Sequence, residues 1–131
     1  MTKLAVSSGD PAGIGPDICI KAFGTKNKLG YSPVIFGDPD LFKERALALD
    51  QKIDLQIYQG EDRELLSNDC LWIKPHNLKQ SVIPGEPDAT YAGYLMDLFK
   101  DAINKTISNE FNALVTGPIN KELMNKGGVS F

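Results

Sequence analysis

A glycine-rich run near the start of the chain combines features that suit the binding of an anion. Residues 8–17 read SGDPAGIGPD, follow an apolar segment at residues 4–6 that predicts a strand, and precede an apolar helix face at residues 18–23. Glycine leaves no Cβ between the backbone and a ligand. The free N–H groups and the positive dipole end of the following helix attract groups such as a phosphate. The run is therefore typical of a loop that lets the backbone approach a ligand closely.

The glycine spacing differs from that of the common nucleotide-binding loops. It is G-x-x-x-G-x-G rather than the G-x-G-x-x-G of dinucleotide-binding folds, and no Gly-Lys-Ser/Thr of a P-loop follows. Pro16 suits the first helical position and Asp17 the first turn, where a carboxylate complements the helix dipole. A tight strand-to-helix turn without a ligand is the alternative interpretation. Asp10 shares this ambiguity, because its carboxylate can stabilise the turn or contact a ribose or substrate hydroxyl.

A second candidate group lies in a loop near the other end of the chain. Residues 111–116 predict a strand that runs directly into GPINK at residues 117–121. Lys121 falls in the first turn of the next predicted helix, where its charge opposes the helix dipole. It is either a contact to a phosphate or carboxylate, a proton-transfer group, or a solvated surface lysine. Ligands of open α/β sheets collect beyond the carboxyl ends of the strands, so we expect both loops to open at that edge.

Strand and helix signals alternate along the chain and place both loops at strand ends. Asp38 and Pro39 predict the start of the second helix, and Asp88 the start of the longest one, which runs to Asn109. Alternating strands and helices favour an α/β fold in three layers, α/β/α, around a mainly parallel sheet. The predicted strands lie at residues 4–6, 33–36, 53–57, 70–73 and 111–116.

Four further segments have features that predict their place in the fold. Residues 53–58 alternate between apolar and other side chains, which predicts a half-exposed strand with Ile57 and Tyr58 on opposite sides. Residues 60–69 are acidic and polar, so we expect them at the surface. Residues 74–88 form the longest irregular segment, and such loops often carry function or line an interface. The longest helix has an apolar stripe that predicts core packing or, as the less favoured alternative, a subunit contact: Tyr91, Leu95, Leu98, Phe99, Ala102 and Ile103.

Composition argues against several classes of function. The 131 residues suit one domain, and the 42% of hydrophobic and 24% of charged residues are ordinary for a globular protein. The net charge of −3 and the lack of a basic patch argue against a nucleic-acid partner. No apolar run reaches membrane-spanning length, and the chain does not open on a secretory signal. We therefore expect a cytoplasmic protein with no membrane partner.

Neither the cysteines nor the histidine predict a metal site. Cys19 and Cys70 lie far apart in apolar contexts, and we expect both to be buried free thiols. His76 is the single histidine and lies in a predicted loop between Pro75 and Asn77. One histidine without clustered cysteine or carboxylate partners does not form a metal site by itself.

Two motifs of the chain, in this order, resemble those of a known enzyme family. Residues 8–17 resemble the opening motif of the 4-hydroxythreonine-4-phosphate dehydrogenases of pyridoxine biosynthesis. Residues 115–121, VTGPINK, followed by GGVSF at residues 127–131, look like the second motif of that family. The opening run also resembles the corresponding loop of isopropylmalate and isocitrate dehydrogenases. The resemblance implies the N-terminal part of an isopropylmalate dehydrogenase-like fold with two lobes.

The resemblance also implies a reaction. Members of the family oxidise a secondary alcohol of a small phosphorylated substrate with NAD or NADP, and the neighbouring carboxyl group is then lost as CO2. By position, Gly9, Asp10, Gly13 and Gly15 are expected near the cofactor, and Lys121 is a catalytic candidate on the same cleft edge. A divalent metal (zinc, magnesium or cobalt) polarises the alcohol oxygen, but its histidine ligands lie beyond Phe131 in the family. A homodimer with its site near the subunit interface is implied as well, while the choice between NAD and NADP stays open.

Members of the family are longer than 131 residues. We therefore expect residues 1–131 to be an N-terminal fragment, mostly the first lobe, with the chain entering the second lobe near its end. Alone it is expected to be inactive, because the family's Thr-Gly-His-Thr-Glu motif and its metal ligands come later. Two alternatives stay open. One is a paralogous dehydrogenase for another four-carbon phosphorylated acid, such as threonate or erythronate phosphate, and the other is a non-catalytic α/β module that binds a nucleotide or phosphate.

Overall fold

One parallel sheet organises the part of the chain that the structure, a computed structural model, describes: residues 2–24, 30–62, 66–67 and 69–128. In these residues the strands lie in the order β3-β4-β2-β1-β5, and each neighbouring pair is parallel. All carboxyl ends therefore meet at one edge, as the sequence predicts. The strands are β1 (Thr2–Ser7), β2 (Tyr31–Gly37), β3 (Leu55–Ile57), β4 (Leu71–Pro75) and β5 (Ala113–Thr116).

Helices follow β1, β2, β4 and β5. Asp38 caps the second helix as predicted, because its side chain accepts the N–H groups of Asp40 and Leu41. Asp88 caps a 3₁₀ turn (Ala89–Tyr91) that leads into the longest helix, rather than the helix itself. The helices are α1 (Gly15–Phe23), α2 (Pro39–Ala48), α3 (Ala92–Ile107) and α4 (Lys121–Lys126).

Successive side chains of the central strands point into two separate cores, one on each face of the sheet. On one face, Val6 and Ile35 pack with Ile20 of α1 and Phe42 of α2. On the other face the neighbouring strand residues pack against α3 and Phe111: Ala5, Val34 and Phe36. The continuous apolar run of β2 is explained by this burial on both sides. The three-layer α/β/α prediction is thus confirmed.

The apolar stripe of α3 is mainly core, as favoured by its spacing. Leu95, Leu98 and Ala102 are buried against the sheet. Phe99 is half-buried, and Ile103 at the end of the stripe is 42% exposed.

Two segments near β3 differ from the prediction. The alternation ends at Ile57, which is 39% exposed, whereas Tyr58 is 2% exposed. Tyr58 turns inward because its ring packs on Phe111, with centroids 5.5 Å apart, and its hydroxyl donates to Glu110 Oε2 at 2.7 Å. Leu66, in the segment expected at the surface, is 6% exposed and packs into the same core. Residues 63–65 and 68 of that segment lie outside the described residues.

An ion pair ties α2 to the first turn of α1, next to the glycine-rich run. Arg45 Nε and Nη2 donate to the two carboxylate oxygens of Asp17 at 2.7 and 2.8 Å. The hydrogen bond to Asp17 raises the pKa of the Arg45 guanidinium. Both side chains are about one-fifth exposed, at 19% and 23%. This two-point contact fixes the direction in which α1 leaves the loop.

We expect Arg45→Met to lower the free energy of unfolding by about 1 kcal/mol, because a bidentate, partly buried ion pair is lost while the aliphatic volume is kept. Urea titration of the variant measures this loss. Lys43→Met, at an exposed position of the same helix, is the control and should change stability by less than about 0.5 kcal/mol. Equal losses in the two variants would show that the ion pair contributes nothing.

The two cysteines differ in exposure. Cys19 is a buried free thiol, as predicted. Cys70 is also free but is half-buried rather than buried, because it lies in the turn just before β4. Burial raises the pKa of Cys19 to about 12. Burial, with smaller contributions from Asp54 and Asp69, raises the pKa of Cys70 to about 11.

Both thiols of the folded chain should therefore react slowly with iodoacetamide at about pH 8. Only the thiolate is nucleophilic, and an unperturbed cysteine has a pKa of about 8.5. Cys70 should be labelled first, and both should be labelled quickly after unfolding in urea. Mass spectrometry of timed samples measures the order. Labelling of Cys19 before Cys70 in the folded chain would contradict the burial described here.

Candidate functional site

The carboxyl edge of the sheet opens into a crevice between the ends of β1 and β5. The chain proceeds from β1 to β2 on one side of β1, and returns from β4 to β5 on its other side. A ligand site is expected where the strand order reverses in this way. The opening loop (residues 8–14) and the second loop (residues 117–120) form its two walls. The crevice has a volume of about 530 Å³ and is lined by Asp10, Gly13, Ile14, Pro118, Ile119, Asn120 and Lys121.

Backbone contacts hold the two loops together. The N–H of Asp10 donates to the Pro118 carbonyl at 2.9 Å, and the N–H of Gly117 donates to the Ser7 carbonyl at 2.8 Å. Gly9 has a φ of +77°, and a Cβ there would overlap the Pro118 carbonyl oxygen. Gly9 therefore serves the close approach of the two loops as well as the left-handed turn.

The other two glycines of the glycine-rich run have different environments. Gly15 is the first residue of α1, and a Cβ there would overlap the carbonyl oxygen of Ser8, so this glycine lets α1 start directly against the end of β1. Gly13 is exposed, and a Cβ there would lie 3.4 Å from the Asp10 Cβ, which is an ordinary contact. Gly13 is therefore the glycine of this run whose backbone faces the crevice, while Gly9 and Gly15 are accounted for by protein contacts. Contact of any of the three with a cofactor stays a prediction.

Asp10 stabilises the turn and also lines the crevice. Its Oδ1 accepts the N–H of Ala12 at 2.9 Å, and its carbonyl accepts the N–H of Gly13 at 3.1 Å. The side chain is half-buried. The turn-stabilising interpretation is thus confirmed, and the contact to a ligand hydroxyl stays a prediction.

Lys121 begins α4 at the rim of the crevice and is exposed. Asn120 caps this helix by accepting the N–H of Leu123 at 3.1 Å. Met124 is 1% exposed, and a Cβ on Gly127 would overlap Ala89, so α4 is seated firmly against the 3₁₀ turn. The lysine therefore projects from a fixed element. Residues 129–131 of the second motif lie outside the described residues.

Sequence reasoning missed a support of the opening loop. Gly85, in the long irregular segment, donates its N–H to the Ala12 carbonyl at 2.8 Å and so joins that segment to the opening loop. It also missed Ile14, which lines the crevice and is 63% exposed. The available signal was a large apolar residue between two glycines of the run.

His76 pairs with a carboxylate and stacks on an aromatic ring. Its Nε2 is 2.8 Å from Asp101 Oδ2, and its ring stacks on Phe36 with centroids 6.1 Å apart. Among the described residues, no three histidine, cysteine or carboxylate side chains gather in a group that holds a metal ion. The described residues therefore do not fit the metal that the resemblance implies, and no step proposed below passes through it.

Comparison with known proteins identifies the family. Residues 30–131 match the model of the pyridoxal phosphate biosynthetic protein PdxA family. The chain belongs to this family. It is 34% identical to a 4-hydroxythreonine-4-phosphate dehydrogenase of Yersinia enterocolitica over 131 residues, and 31% identical to that of Methylococcus capsulatus over 130 residues. A solved structure of the Klebsiella pneumoniae 4-hydroxythreonine-4-phosphate dehydrogenase superposes with a TM-score of 0.85 at 27% identity.

The match covers this chain almost completely but its relatives only in part. It spans 98% of the chain and 39% of each of the two curated PdxA relatives, and 100% of the chain and 41% of the Klebsiella pneumoniae structure. The family inferred from the two motifs is thus confirmed, and the α/β fold of the described residues matches the Klebsiella pneumoniae structure. In the described part of the chain, no helix has the length and apolar character needed to cross a bilayer.

Gly13 and Gly15, on either side of Ile14, should respond differently to substitution by alanine. Gly15→Ala should lower the free energy of unfolding by about 2 kcal/mol or more, because its Cβ meets backbone that has no room to move. Gly13→Ala should change it by less than about 0.5 kcal/mol. Urea denaturation followed by circular dichroism measures both. A tolerated Gly15→Ala would mean that α1 does not start against Ser8 as described.

Proposed function

We propose that the protein carrying this chain is an NAD- or NADP-dependent dehydrogenase that oxidises 4-hydroxythreonine 4-phosphate, with decarboxylation, in pyridoxal phosphate biosynthesis. The observation that supports this best is the crevice at the reversal of strand order, whose two walls carry the two motifs of the PdxA family. The matches to the named relatives cover 98% of this chain and so span both loops.

In this proposal the opening loop serves the cofactor. Gly13 offers backbone without a side chain. Asp10 offers a half-buried carboxylate that accepts a hydrogen bond from a hydroxyl group of a ribose or of the substrate. Gly9 and Gly15 contribute by fixing the loop against Pro118 and Ser8. When bound, the nicotinamide cofactor accepts the hydride that leaves the secondary alcohol.

Lys121 serves the substrate. Its ammonium group lies at the rim of the crevice on the wall opposite the opening loop, where it attracts the phosphate or the carboxylate of a four-carbon acid. A fixed positive charge also stabilises negative charge that develops as the alcohol loses its proton. Seating of α4 through Met124 keeps this charge in place.

The remaining parts of the proposal concern the whole protein. We propose that residues 1–131 form mostly the first of two lobes, with the chain entering the second lobe near its end. The active protein is proposed to be a cytoplasmic homodimer. Divalent metal chemistry belongs to residues other than those described here.

The test uses the complete product of the reading frame that encodes these residues. It is incubated with 4-hydroxythreonine 4-phosphate and NAD or NADP, and the absorbance of the reduced nicotinamide is followed. Lys121→Met should lower kcat/KM by about 10- to 100-fold, since a charge-assisted contact to the substrate is lost. Lys126→Met is the matched control on the same helix, because its side chain is 63% exposed and pairs with Glu122 outside the crevice.

The control should retain its activity within about twofold. A parent protein that reduces neither nicotinamide would overturn the proposed activity. An active parent with equal kcat/KM in the two lysine variants would overturn only the role given to Lys121.

A further inference from the structure

We propose that Tyr94 is a positioning residue for the crevice, and that its buried hydroxyl holds the opening loop and the start of α2 in one arrangement. The effect of Tyr94 on cofactor binding rests on the proposed function. Its effect on the arrangement of the loops does not, and is tested separately.

The hydroxyl of Tyr94 lies next to the carboxyl ends of β1 and β2. Tyr94 lies on α3 and is 9% exposed. Its oxygen accepts the backbone N–H of Asp38 at 2.9 Å, and Ser8 Oγ lies in the same site, beside Gly37. Burial raises the pKa of this hydroxyl, so it keeps its proton at neutral pH. One side chain of α3 is thus hydrogen-bonded to the first residue after β2 and lies next to the first residue after β1.

Ser8 is the first residue of the opening loop. It is fully buried, its Oγ donates to the Phe36 carbonyl at 3.0 Å, and its N–H donates to the same carbonyl at 3.3 Å. Gly9, which meets the second loop, follows directly. A shift of Ser8 therefore moves the contact on which the crevice depends.

Asp38 extends the same contact to two more segments. It is 7% exposed, and its Oδ1 accepts the N–H of Asp40 at 2.8 Å at the start of α2. Its Oδ2 accepts the N–H of Leu78 at 2.6 Å, in the irregular segment after β4. That segment continues to Gly85, which bonds to the opening loop. Through Asp38, the Tyr94 hydroxyl is thus linked to the start of α2 and to the irregular segment that bonds to the opening loop.

Gly37 provides the space in which these groups meet. A Cβ at this position would lie 2.8 Å from Phe42 Cε2, 3.0 Å from Ser8 Oγ and 3.5 Å from the Tyr94 hydroxyl. The hydroxyls therefore fill a closely packed site next to backbone. Loss of the Tyr94 oxygen leaves the Asp38 N–H buried without its acceptor, which disfavours the present arrangement.

Amide hydrogen exchange tests the structural part on the full chain. Tyr94→Phe should speed exchange of the Asp10, Gly13 and Leu78 amides by about tenfold, as one buried hydrogen bond is lost. Tyr58→Phe is the matched control, because it removes another buried tyrosine hydroxyl that bonds to Glu110 and contacts neither loop. It should leave these amides unchanged. Equal acceleration in both variants, or none in Tyr94→Phe, overturns the proposal.

Ser8→Ala provides a second, smaller perturbation of the same contact. Alone it should speed exchange at Asp10 and Gly13, and combined with Tyr94→Phe it should add little, because the two hydroxyls fill one packed site beside Gly37. Fully additive effects in the double variant would overturn the shared contact.

Steady-state kinetics on the complete protein test the functional part. Tyr94→Phe should raise KM for the nicotinamide cofactor by about five- to tenfold while kcat stays within about twofold, since binding rather than chemistry is affected. A fall in kcat with KM unchanged would overturn the positioning role. A parent protein with no dehydrogenase activity would overturn the proposed function, while hydrogen exchange would still decide whether Tyr94 holds the loops.

Discussion

The backbone contact between the opening loop and the second loop is the constraint on which the candidate site depends. The Asp10 N–H bonds to the Pro118 carbonyl, and Gly9 is the residue that permits so close an approach. These loops belong to β1 and β5, which are far apart in sequence and adjacent in the sheet. The crevice exists because two strand ends are joined by hydrogen bonds and glycine rather than separated by side chains.

Polar groups at this edge are buried to an extent that is unusual for a loop region. Ser8 and Asp38 lie below the surface, and each is hydrogen-bonded to backbone of a different segment. Burial of such groups is tolerated only when their hydrogen bonds are made. The crevice is therefore supported by a small polar core that connects β1, β2 and α3, beneath the residues that line it.

Much of the fold could be predicted from local pattern, and the site only in part. The apolar run of β2 and the cap at Asp38 gave the right elements, because both signals act within a few residues of chain. Tyr58 and Leu66 were misplaced because their burial depends on Phe111 and on α3, which are distant in sequence. The glycines were evident from the sequence. Their spacing does not reveal that Gly9 and Gly15 lie against Pro118 and Ser8, whereas Gly13 faces the crevice.

The exposure of Ile14 and Lys121 has a consequence for how this surface can change during evolution. The framework of the crevice consists of main-chain contacts and glycines. Two of its lining residues also serve the fold, because Asn120 caps α4 and Ile119 packs against the core. Ile14 and Lys121 are exposed at the crevice, so substitutions at these two positions can accumulate without loss of the scaffold. The lining can therefore vary at these positions while the two loops beneath them stay fixed.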